Sequence, residues 1–133
     1  VTPNLPEAAA LLHTEPAQNE QDMVAQGRAL IAQGAKAVLL KGGHLLSAKN
    51  ESPDLFVSAQ HEIRFSAPRV PTKNTHGTGC SLSAALAALR PQCKDWPETI
   101  ARAKDWLSQA LQNADRLSVG KGIGPVHHFH RFW

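Results

Sequence analysis

Ala37-Val38-Leu39-Leu40-Lys41-Gly42-Gly43-His44 is the stretch around which the rest of the chain arranges itself. Four apolar residues run without a polar break, the pattern of a strand buried on both faces of a parallel sheet. They end at a cation, two glycines and a histidine, which predicts a loop at the strand's carboxyl end. Just upstream, residues 19–33 carry Met23, Val24, Gly27, Leu30 and Ile31 on one helical face. Asn19 can cap that helix, Asp22 favours its first turn, and Gly34 stops it. Residues 6–12 predict a shorter helix, with Pro6 in the early position where a missing N–H costs nothing. Val1-Thr2-Pro3-Asn4 resembles the tail of a strand entering a loop, which suggests a piece of a longer chain.

Downstream, residues 47–53 are polar and turn-rich. Residues 54–58 and 62–66 then predict a hairpin, with Ile63 and Phe65 alternating against Glu62, Arg64 and Ser66. Residues 80–89 form a helix of small apolar residues, ended by Pro91. Residues 96–113 form a longer one, with Ile100, Ala103, Trp106, Leu107, Ala110 and Leu111 in register. Helices alternating with strands predict an α/β sheet with helices on its faces. Such sheets bind ligands beyond the carboxyl ends of their strands. Lys41-Gly42-Gly43-His44 and His76-Gly77-Thr78-Gly79-Cys80 are the two candidates for that rim.

Composition narrows the function. The 133 residues carry 14 Lys plus Arg against 11 Asp plus Glu, a net charge of +3. Mild charge of mixed sign gives no reason to expect a nucleic-acid partner. No run of 18 apolar residues is present, so no membrane-spanning helix is expected. Residues 1–7 have neither a basic nor an apolar signal-like region. Two cysteines, Cys80 and Cys93, make neither a disulfide framework nor a metal pattern. The expectation is a cytoplasmic protein.

In Asn74-Thr75-His76-Gly77-Thr78-Gly79-Cys80, two glycines let backbone approach an anion closely. The helix that follows supplies unpaired N–H groups and the positive end of its dipole. Together they could cradle a phosphate, with the Cys80 sulfur where that dipole favours negative charge. An ordinary glycine-rich helix entry with a small cysteine is the alternative. The Gly-Lys-Ser/Thr ending of a Walker A loop is absent. Lys41 could contact phosphate oxygens as a point charge or be a solvated turn lysine. Asn4 and Glu7 have the spacing of a capping box, and equally of a carboxylate that orders water around Mg²⁺. His127, His128 and His130 match no closed zinc pattern.

Four segments occur in order: Thr2-Pro3-Asn4-Leu5-Pro6-Glu7-Ala8, then Lys41-Gly42-Gly43-His44, then Thr72-Lys73-Asn74-Thr75-His76-Gly77-Thr78-Gly79-Cys80, then Gly122-Ile123-Gly124-Pro125-Val126-His127-His128-Phe129. In this order they resemble the hydroxymethylpyrimidine/phosphomethylpyrimidine kinases of thiamine biosynthesis. The resemblance implies a ribokinase-like, three-layer α/β/α (Rossmann-like) fold. Residues 1–133 would be the C-terminal part of a single kinase domain, with its N-terminal half absent. It implies ATP as co-substrate, Mg²⁺, a small pyrimidine substrate and a homodimeric full-length enzyme. Carried over by residue, Gly77, Thr78, Gly79 and Cys80 would form an anion hole, with Cys80 also the catalytic base. Lys41 would neutralise the transferring phosphate. Lys41, Gly42, Gly122 and Gly124 would lie at the nucleotide, and Asn4 and Glu7 near water-held Mg²⁺. The implied reaction phosphorylates 4-amino-5-hydroxymethyl-2-methylpyrimidine and then its monophosphate, with this chain expected to be inactive alone. A pyridoxal kinase of the same fold and a non-catalytic nucleotide-binding fragment are the alternatives.

Overall fold

A computed structural model describes every residue except His44 and Leu46. The chain forms two compact units, Val1–Arg69 and Val70–Trp133.

In the first unit, helices α1 (Leu5–Leu12) and α2 (Glu20–Ala32) accompany strands β1 (Ala37–Lys41), β2 (Glu51–Ser58) and β3 (Glu62–Pro68). The strands form one sheet in the order β1-β2-β3. One face carries Val38 and Leu40 of β1 opposite Val57 and Leu55 of β2. These four pack with Leu5 and Ala8 of α1 and Met23 and Leu30 of α2 into the unit's core. Gly27 lets α2 approach closely, since a Cβ there would meet Val57 Cγ2 at 2.8 Å.

The parallel expectation for β1 holds on one side only. Residues 1–4 run parallel to it: Val1 O accepts from Leu39 N–H and Pro3 O from Lys41 N–H, each at 2.9 Å. On the other side β1 pairs antiparallel with β2. An apolar run reports burial on two faces and carries no sign of direction. The hairpin is present but longer than expected, because β2 begins at Glu51 within the stretch assigned to turns. Pro53 is tolerated there because it lies where β1 has ended, so no ladder partner misses its N–H. The hairpin turn uses Ser58 in place of an Asn-Gly pair: its Oγ accepts from Gln60 N–H at 3.2 Å and His61 N–H at 3.1 Å.

The second unit contains α3 (Thr78–Leu89), α4 (Trp96–Gln112) and single turns at Arg90–Gln92 and Ala114–Arg116. Asp95 caps α4, and Ile100, Ala103, Leu107 and Ala110 form its buried stripe. Trp106, expected in that stripe, is half-buried and faces His128 and His130, with ring centroids 6.2 Å apart in each pair. No helix among the described residues is long and apolar enough to cross a membrane.

Candidate active site

The first unit gathers four of the expected residues at one end of β1. Lys41 is the last residue of β1 and bridges Asn4 in parallel. Asn4 caps α1, its Oδ1 accepting from Glu7 N–H while Glu7 Oε2 accepts from Asn4 N–H, both at 2.8 Å. The capping box is therefore formed. It engages one carboxylate oxygen of Glu7, whose side chain is exposed. That donor set fits a divalent cation held through water, and does not fit a closed shell of protein ligands.

Gly42 follows Lys41 and donates its N–H to Pro53 O at 2.9 Å and Asp54 Oδ1 at 3.1 Å. A Cβ there would lie 2.2 Å from Pro53 O, so the chain can turn here only as glycine. Its N–H is thus spent within the fold. Asp54, directly opposite Lys41 in the ladder, is buried at 6% exposure. In the sequence it is only the first residue of the predicted strand over 54–58. The available signal was an acid abutting the apolar run Leu55-Phe56-Val57. His44, the last residue of this rim segment, lies outside the described residues.

The second unit gathers the other group. Among the described residues, Asn4, Asn19 and Asp95 give α1, α2 and α4 a side-chain cap. Helix α3 begins on Gly77, which offers none and has φ +80°. Thr78, Gly79 and Cys80 are its first three residues, where amides lack intrahelical acceptors; the Thr78 N–H is already given to Thr75 O at 3.3 Å, outside the helix. Thr78 turns its hydroxyl back to Thr75 O at 2.6 Å. Cys80 is exposed and Cys93 buried.

The segment around residue 125 returns to this turn. His76 pairs with Pro125 and donates its N–H to Gly124 O at 3.0 Å. A Cβ on Gly124 would lie 2.2 Å from Asn74 Oδ1, and Asn74 Nδ2 in turn donates to Asp115 Oδ1 at 2.8 Å. Gly124 is thus seated against the 74–76 loop. Gly122 lies on an exposed stretch with nothing within 4 Å of where its Cβ would be.

The three histidines have separate attachments. His128 Nε2 and Ser81 Oγ share a hydrogen bond of 2.8 Å. His130 meets His127 O at 3.1 Å and Gln109 Oε1 at 3.3 Å. Burial, reinforced by Arg116, holds the His127 imidazole below its usual pKa. Its Nε2 has no hydrogen-bond partner.

Residues 1–127 match the phosphomethylpyrimidine kinase family. The chain is 66% identical over 133 residues to the hydroxymethylpyrimidine/phosphomethylpyrimidine kinase of Salmonella typhimurium strain LT2, covering all of this chain and 49% of that protein. It is 61% identical to the enzyme of the same name from Escherichia coli K12, with the same coverage. In structure it is similar to the pyridoxal kinase of Staphylococcus aureus in complex with AMP-PCP and pyridoxal, with a TM-score of 0.89 and 29% identity. That likeness covers 99% of this chain and 48% of the other. The chain therefore spans about half the length of the curated relatives it matches. With its ribokinase-like α/β architecture and its ordered glycine-rich segments, it belongs to the phosphomethylpyrimidine kinase family.

Proposed function

We propose that this chain supplies the phosphoryl-transfer side of an ATP-dependent kinase that phosphorylates 4-amino-5-hydroxymethyl-2-methylpyrimidine and then its monophosphate, giving the diphosphate used in thiamine biosynthesis. The observation that carries this reading is the uncapped start of α3 at Gly77, Thr78, Gly79 and Cys80, in a chain of this family. First-turn amides and the helix dipole suit a phosphate or the charge that builds on a transferring phosphoryl group. The motif order supports the chain's being the carboxyl-terminal part of one kinase domain. The whole enzyme would be a cytoplasmic homodimer.

Phosphoryl transfer passes through a loose transition state, so positioning and charge neutralisation supply most of the acceleration. The N–H groups of Gly79 and Cys80 donate to the anionic oxygens, and the Lys41 ammonium would neutralise the transferring phosphate. The substrate hydroxyl oxygen attacks the γ-phosphorus, its proton passes to the Cys80 sulfur, and the β–γ bridging bond breaks to release ADP. In the second transfer the attacking atom is a phosphate oxygen of the monophosphate. Mg²⁺, when bound, neutralises charge on the polyphosphate; Glu7 would hold it through water, with Asn4 fixing the Glu7 carboxylate. Gly124, packed on the 74–76 loop, and the exposed Gly122 would border the nucleotide, and Gly42 would leave room for it.

Pyridoxal phosphorylation is the second reading, favoured by the similarity to a pyridoxal kinase solved with pyridoxal. The test is mass spectrometry of products from Mg·ATP with hydroxymethylpyrimidine or pyridoxal. The enzyme source is this chain alone and this chain combined with the half of the Escherichia coli relative that it does not match. Pyrimidine phosphate from the combined halves is expected. Pyridoxal phosphate alone would transfer the assignment to the second reading, and no product from either mixture would overturn both.

A further inference from the structure

The 77–80 turn is held on both flanks by one segment. Before the turn, His76 donates its N–H to Gly124 O. After it, Ser81, the residue next to Cys80, shares its hydroxyl with His128 Nε2 at 2.8 Å. Ser81 is buried at 8% exposure, while His128 is exposed, so the bond runs from the helix interior out to the surface. Its own N–H closes the first turn of α3 onto Gly77 O at 2.8 Å. A serine here can otherwise fold its hydroxyl back onto the carbonyl four residues earlier, which bends a helix.

His128 is itself anchored. Its ring lies beside Trp106 of α4, and its N–H returns to Val126 O at 3.1 Å. Val126 is 1% exposed. The neighbouring His127 donates its N–H to Ala110 O at 3.0 Å, and His130 meets Gln109 and also lies beside Trp106. Helix α4 thus sets the height of the histidine that reaches Ser81.

We infer that His128 is a positioning residue: through Ser81 it fixes the start of α3, and with it the amides and thiol of the Gly77-Thr78-Gly79-Cys80 turn. That this turn holds a phosphate rests on the kinase reading; that His128 shapes it does not.

The test reads the turn without requiring turnover. In the 133-residue chain Cys80 is exposed and Cys93 buried, so the iodoacetamide reaction, followed by peptide mass mapping, reports Cys80. Four proteins are compared: the unaltered chain, His128→Phe, His128→Gln and Ser81→Ala. Phenylalanine keeps a ring beside Trp106 and loses the hydrogen bond. Glutamine keeps a hydrogen-bonding group near Nε2 and loses the ring. The expected result is a shared Cys80 rate for the unaltered chain and His128→Gln. His128→Phe and Ser81→Ala should depart from it together by about fivefold, the weight of one net hydrogen bond. Melting temperatures identify any variant that fails to fold, and the His128→Gln comparison then decides. A His128→Phe rate equal to that of the unaltered chain overturns the inference, as does a His128→Gln rate displaced as far as that of Ser81→Ala. Failure of the kinase reading would appear elsewhere, as absence of product from the combined halves.

Discussion

At Gly124 and Gly122 one added methyl group should have opposite consequences. Gly124→Ala would place a Cβ 2.2 Å from Asn74 Oδ1 and push that side chain off its bond to Asp115. A loss of about 1–3 kcal/mol is expected, the usual cost of overpacking. Gly122→Ala meets nothing within 4 Å and should fall within about 0.5 kcal/mol of the unaltered chain. Thermal unfolding of the two variants checks the pair. Cys80→Ala removes an exposed thiol, so stability should hold. Turnover in the complemented enzyme should fall by about 10²–10⁴, the range for losing a general base, with ATP affinity little changed. Unaltered turnover would remove Cys80 from the mechanism. Cys80 was legible because glycines and a cysteine at a helix start form a local pattern, whereas Gly122 and Gly124 entered through the family resemblance alone. Asp54 and the Ser81–His128 pair were not legible. The latter joins residues 47 apart, and no spacing rule links a serine inside a helix to a histidine in a distant irregular segment.

The helices announce themselves through their caps. Asn4, Asn19 and Asp95 each accept an N–H three residues on, and all three starts lie within a residue of where the sequence predicts them. Strand direction was not legible, since burial on two faces suits β1 between a parallel and an antiparallel neighbour alike. The start of α1 poses a question that two variants separate. Asn4→Ala breaks the capping box and should cost about 1 kcal/mol. Glu7→Gln keeps an acceptor for Asn4 N–H and removes only charge, so it should cost about 0.5 kcal/mol from the helix dipole. If Glu7 holds water around Mg²⁺, that same variant should raise the Mg²⁺ needed for half-maximal activity by at least about tenfold. An unmoved Mg²⁺ requirement would make Glu7 a cap and nothing more.

Over the whole molecule, acid should weaken the two units in different pH windows. His127 in the second unit has its pKa lowered by burial from 6.5. As pH falls through 6.5, the unfolded chain takes up a proton that the folded one resists, so stability declines. In the first unit, Glu51 is held below 4.5 by hydrogen bonds from Ser66 and then Arg64. Its contribution is complete above 4.5 and disappears as pH falls through its lower folded value. It is also small, because the groups are exposed. Trp96, Trp106 and Trp133, the three tryptophans, all lie in the second unit. Denaturation followed by their fluorescence should therefore show a midpoint falling between pH 7 and 5.5. His127→Phe should flatten that slope; an unchanged slope would exclude His127 as its source. The exposed stretch just ahead of Gly124, which contains Gly120 and Gly122, gives the clamp on α3 a different meaning. A single nick there would turn the remaining carboxyl-terminal peptide into a ligand of its own protein. The order of the 77–80 turn would then depend on the concentration of a dissociable part, as it does in a split reporter.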